Sequence, residues 1–108
     1  MKHLILGFLA AVSLSAGQDA RTFTGTITDS MCADGNHAPM RMGPTAAECT
    51  TACVMAHGAL YVLYDGENAY DLSDQKTPEQ FAGQPVRVVG TLDVKTKTIR
   101  VESITARK

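Results

Sequence analysis

Hydrophobic and polar positions alternate from Thr22 onward, with Phe23, Gly25 and Ile27 on one side and Thr22, Thr24, Thr26 and Thr28 on the other. A period of two carried by β-branched residues predicts a half-buried strand, which Asp29-Ser30 ends. From Met31 to Thr45 the period is lost, and Gly35, Pro39, Gly43 and Pro44 punctuate the chain. This stretch is longer than a usual connection of about 4–6 residues, and such loops are commonly functional or held from outside. Thr45 then offers an N-cap, and Glu48 three residues later completes a capping-box pattern. The pattern predicts a helix over residues 46–57, with Gly58 as the residue that stops it.

The rest of the chain reads as β. Leu60 to Tyr64 runs into Asp65-Gly66, and Ala69 to Leu72 follows, which predicts a hairpin. Thr77-Pro78-Glu79-Gln80-Phe81-Ala82 predicts a capped helical turn with Pro in its first position. Val86, Val88, Gly90 and Leu92 alternate with Arg87, Val89, Thr91 and Asp93 in a fourth strand. A polar turn at residues 95–97 leads to the last strand at Ile99 to Glu102. Ile104 is out of phase with Ile99 and Val101, so a bulge or a change of face is expected near Ser103. Five strands with a short helix between the third and fourth is the order of an OB-type barrel. The expected architecture is therefore mainly β, a small five-stranded OB-like barrel or open sheet. A cysteine-bearing helix is inserted between strands 1 and 2.

The first 17 residues change how the 108-residue chain is read. Met1-Lys2-His3 is basic, residues 4–14 (LILGFLAAVSL) carry no charge, and Ser15-Ala16-Gly17 are small. This is the tripartite pattern of a secretory signal peptide, with cleavage expected after Gly17. Its apolar run is too short to span a membrane, and no later stretch comes close. The expected organisation is a leader over 1–17 and one OB-like domain over 18–108, exported to the periplasm or secreted. No integral span remains after cleavage. Losing Lys2 leaves 9 basic against 11 acidic residues. That balance, with no Trp and few aromatics, argues against nucleic acid as a partner. A domain of this length also has a thin core, for which a covalent staple would be useful.

The candidate chemistry is concentrated in one region. Cys32 ends the first strand, and Cys49 and Cys53 lie at i, i+4 on one face of the helix, a stripe that His57 extends. Ala52 and Ala56 complete the expected apolar side. The loop adds His37, Met40 and Met42, and Met31 stands beside Cys32. Two readings follow. Exported cysteines oxidise, and one disulfide, Cys32 with Cys49 or Cys53, would tie loop and helix to the first strand. Alternatively, Cys32, His37, Met40, Cys49, Cys53 and His57 are candidate ligands for copper or zinc, since thiolate, thioether and imidazole suit these soft and borderline ions. His57 also has a simpler role against the helix dipole, and Tyr61, Tyr64 and Tyr70 are candidates for a binding face.

No catalytic residue emerges. Cys49-Thr50-Thr51-Ala52-Cys53 has three residues between its cysteines, not the two of a thioredoxin-type motif. No Ser/His/Asp spacing, Gly-rich phosphate loop or HExxH is present. The runs GTITDSMCADGNHAPM, ECTTACVMAHGALYVLYDGENAYDLSDQ and FAGQPVRVVGTLDVKTKTIRVESI resemble a family of small exported bacterial proteins of unknown function. Its pattern is DSxC…H…M, CTxxCV, YVL and AGxxVxVxGTL; the three cysteines, His37 and Met40 match it, whereas His57 does not. The resemblance implies export and a compact β-rich domain, and no activity. The expectation is a non-enzymatic exported β domain whose Cys/His/Met region is a disulfide staple or a soft-metal site. The alternatives are a thiol redox protein of the cell envelope and an OB-type ligand-binding module.

Overall fold

The computed structural model describes residues 19–36 and 43–107. Residues 1–17, where a leader is expected, therefore lie outside the described residues. Strand β1 (Arg21–Asp29) is followed by a 3₁₀ turn (Ser30–Cys32), helix α1 (Ala46–His57), and strands β2 (Tyr61–Tyr64) and β3 (Ala69–Leu72). A second 3₁₀ turn (Thr77–Phe81) precedes strands β4 (Pro85–Asp93) and β5 (Thr98–Ala106). The protein is mainly β, one five-stranded mixed sheet with the cysteine-bearing helix between β1 and β2. β1 pairs antiparallel with both β2 and β4, β2 with β3, and β4 with β5. β3 and β5 run parallel, so the ladder passes through β1-β2-β3-β5-β4 and returns to β1. This is the strand order of the OB-like arrangement.

Alternation builds the core as the sequence implies. Phe23 and Ile27 from β1, Leu63 from β2, Leu72 from β3, Val86 and Val88 from β4, and Ile99 and Ile104 from β5 are buried together. Ile104 reaches this face because the β4–β5 register shifts: Val89 faces Ser103 and Gly90 faces Val101, leaving Glu102 as the extra residue. A bulge of that kind restores an out-of-phase residue to the core side. β5 is longer than expected from Ile99–Glu102, because the bulge lets the same strand continue to Ala106.

Local signals fix the connections. Thr45 caps α1, accepting from Glu48 N at 3.1 Å and donating to Glu48 Oε1 at 3.2 Å. Gly58 ends the helix in the left-handed region (φ 68°), and its N–H donates to the Cys53 carbonyl. Asp65 Oδ1 accepts from the N–H groups of Glu67 and Asn68 and holds the β2–β3 turn. The second 3₁₀ turn differs from expectation. Thr77 does not cap it; Asp74 instead accepts from Lys76 N and Thr77 N, placing the chain reversal three residues earlier. Gln75 fills a place where β2 lacks a strand neighbour. Its side-chain amide accepts from Tyr61 N at 2.8 Å and donates to Tyr61 O at 3.0 Å, as a backbone partner would.

Gly90 is the tightest point of the β4–β5 pair. A Cβ there would meet the Arg100 carbonyl and the Ile99 side chain. Backbone cannot move aside as a flexible side-chain end can. Gly90→Ala is therefore expected to destabilise the fold by about 2 kcal/mol, the usual scale of overpacking. Thermal unfolding checks this, and an unchanged midpoint would refute so close an approach.

Candidate functional site

The cysteine region is assembled where β1 leaves the sheet. Asp29 is fully buried, and its Oδ1 accepts from Met31 N and Cys32 N, both at 3.0 Å. That carboxylate is the N-cap of the 3₁₀ turn. The hydroxyl of Thr28, also buried, donates to the Cys32 carbonyl at 2.9 Å. Two side chains from the strand end thus fix the backbone of Cys32. Ser30 then ties the turn to the segment after α1: its N–H donates to Leu60 O, and its Oγ accepts from Leu60 N. The entry to and exit from the helical insertion are clamped together by these bonds.

Helix α1 brings the other two sulfurs to the same place. Cys32, Cys49 and Cys53 are all buried, at 3%, 1% and 0% exposure, and no disulfide joins them. Cys49 stands at the centre, with side-chain hydrogen bonding to both Cys32 and Cys53. Cys49, Cys53 and Ala59 form a small apolar cluster, with Val54 packed against both it and the main core. The buried face of α1 is rotated from the expected stripe. Thr50 is buried, Ala52 is half-buried and Ala56 is exposed. The helix docks along its Thr50 side because the β1 end, and not a flat sheet, receives it.

Burial and nearby negative charge favour the protonated thiols of Cys32 and Cys53. Burial pushes the Cys53 thiol up to about 12, and the Asp29 carboxylate adds to that shift before the neighbouring cysteines do. Cys32 is raised for the same reasons, burial first and then Asp29, Cys49 and, more weakly, Asp34. Every charged side chain acting on these two thiols is negative. A thiolate here lacks the helix N-terminus or cationic neighbour that makes a cysteine reactive.

The other candidates are spread out. His37 and Met40, with Met42, lie outside the described residues. His57 is exposed at the last position of α1, where it suits the C-terminal dipole. Met31 is 43% exposed. Among the described residues, no group of three or more His, Cys, Asp or Glu side chains is placed to hold a metal ion. The tyrosines have structural surroundings: Tyr61 is buried, Tyr64 donates to Gly66 O at 2.8 Å, and Tyr70 packs on Phe23 at 5.7 Å between centroids. Asp29, Thr28 and Thr50 are the site residues that alternation overlooks. From the sequence, Asp29 is legible only as a residue that ends the first strand. Among the described residues, no helix is long and apolar enough to cross a membrane.

No protein-family model, curated protein or solved structure matches the chain. The functional reading therefore rests on the site itself.

The raised thiols make the stability of the reduced protein depend on alkaline pH. A group whose pKa rises on folding contributes stability that is present below its unfolded value and lost as pH climbs through its folded value. For Cys53 the window runs from the ordinary thiol value of 9.0 to about 12. Denaturant titrations of reduced protein are expected to show stability falling from pH 9 to pH 11. The fall should be shallower in Cys53→Ala, and an equal slope in the two proteins would exclude this origin.

Proposed function

We propose that the chain is an exported, non-enzymatic OB-like binding module, stapled by a Cys32–Cys49 disulfide. The observation that supports this most is the side-chain contact of Cys49 with Cys32, which joins α1 to the turn at the end of β1. The secretory pattern of residues 1–17 implies an oxidising compartment, where neighbouring thiols persist as disulfides. Forming the bridge removes two protons and two electrons, passed to the compartment's disulfide-generating oxidant. Closing a loop of this size removes about 3 kcal/mol of unfolded-chain freedom. That is a large gain for a domain with so thin a core.

Cys53 is left as the unpaired thiol. Its i, i+4 relation to Cys49 along one helix gives poorer disulfide geometry than the contact between two elements. Burial and negative surroundings argue against the thiol-redox alternative, because exchange chemistry requires an accessible thiolate. The soft-metal alternative has Cys32, Cys49 and Cys53 binding Cu(I) or Zn²⁺ with His37 or Met40 completing the set, but the three cysteines are not placed as a metal-holding group among the described residues. The staple takes precedence as Cys32–Cys49 because that contact joins two elements, whereas the Cys49–Cys53 contact lies within one helix.

Non-reducing peptide mapping of the exported protein tests the proposal. The expected result is one Cys32–Cys49 disulfide and one thiol on Cys53. Cys32→Ala and Cys49→Ala should each cost about 2–4 kcal/mol and remove the effect of reductant on stability. Three thiols in the exported protein, with uptake of one equivalent of Cu(I) or Zn²⁺ and a thiolate-to-metal absorption band, would replace the staple with the metal site.

A further inference from the structure

A second surface lies away from the cysteines, along the β4–β5 hairpin. A groove of about 580 Å³ runs between this hairpin and Ser73 at the exit of β3. Its volume is in the range of small-ligand sites. The register explains its lining: Thr91 faces Arg100 and Asp93 faces Thr98, so these four side chains project from one face of the hairpin. Lys95 joins them from the turn and Val94 supplies apolar lining, while Leu92 borders the groove from the core face of the hairpin. Val94 is 76% exposed.

The polar groups of the groove divide into used and unused. Asp93 Oδ1 accepts from Lys95 N at 3.0 Å, and Ser73 Oγ accepts from Val101 N at 2.8 Å. Thr96 Oγ1 donates to Thr98 Oγ1 at 2.9 Å. By contrast, the Arg100 guanidinium, the Lys95 ammonium and the Thr91 hydroxyl make no hydrogen bond or ion pair among the described residues. Two unpaired cations against one carboxylate leave the groove net positive. No aromatic side chain lines it. A nucleobase would therefore find no stacking platform.

We propose that this groove binds an acidic saccharide, with Arg100 holding the ring carboxylate and Lys95 adding charge. The planar guanidinium fork matches a carboxylate through two parallel hydrogen bonds. Thr91, Thr98 and Ser73 meet sugar hydroxyls as donors or acceptors, and Asp93 accepts from them. Val94 covers the apolar edge of a sugar ring. This deepens the reading of the chain as a binding module and is independent of the staple. The hairpin site can fail while the disulfide is present, and the reverse also holds.

Calorimetric titration of the exported protein with tri-galacturonate, beside neutral galactotriose, tests the site. Expected are binding of the acidic sugar, at least tenfold weaker binding of the neutral one, and a loss of about tenfold in Arg100→Gln, the scale of one charge-assisted pair. Lys95→Gln should weaken binding by a smaller factor. Thermal midpoints should stay unchanged, because neither side chain supports the fold. Backbone NMR shifts on titration should fall on residues 91–100 and Ser73. Equal affinity for both sugars, indifference to Arg100→Gln, shifts confined elsewhere, or no binding of tri-galacturonate would overturn the proposal.

Discussion

The buried carboxylate of Asp29 is the constraint on which the cysteine end of the molecule depends. A charged group removed from water is tolerated only when hydrogen bonds replace its hydration. Two backbone N–H groups of the following turn do so at 3.0 Å. The same bonds force the chain out of β1 within one residue and set Cys32 at a fixed place beneath the helix. Thr28 anchors the other side of that turn through the Cys32 carbonyl. The strand end thus determines where the first sulfur lies, and α1 brings the other two to it. Burial first, and then the negative charge that orients the turn, raises the Cys32 and Cys53 thiols. One residue both builds the site and restrains its reactivity.

Much of this architecture is legible in the amino-acid order because its signals are local. The Thr45–Glu48 cap and Gly58 delimit α1 at 46–57, and the period of two places Phe23, Ile27, Val86 and Val88 in the core. The odd phase of Ile104 reveals a bulge without any partner strand in view. Pairing order is less legible. The parallel β3–β5 contact joins residues far apart in sequence, and nothing local encodes it. The buried face of α1 is similarly hidden, because Cys49 and Cys53 fit either side while Thr50 reads as a surface residue. Its burial follows from how the helix meets the β1 end. Asp29 reads as a strand terminator by residue type, and that is true as far as it goes. Its burial depends on the helix that covers it.

The two ends of the sheet have different physical characters, and this separation is itself informative. At the β1 end, sulfur, a buried carboxylate and backbone clamps produce a dry, heavily bonded junction. Its cysteines, Thr28, Asp29 and Thr50 are buried, so solvent has little access to them. The groove at the β4–β5 hairpin retains cations and a hydroxyl without partners among the described residues, next to exposed Val94. In a small domain each ordered contact contributes a noticeable share of the total stability. Contacts that rigidify belong where no ligand enters, and unsatisfied donors belong where one does. The proposed Cys32–Cys49 staple at the first end would let the second remain under-bonded without loss of the fold. In that sense the cysteines and the groove answer one problem: a thin core must hold its shape while leaving polar groups free for a ligand.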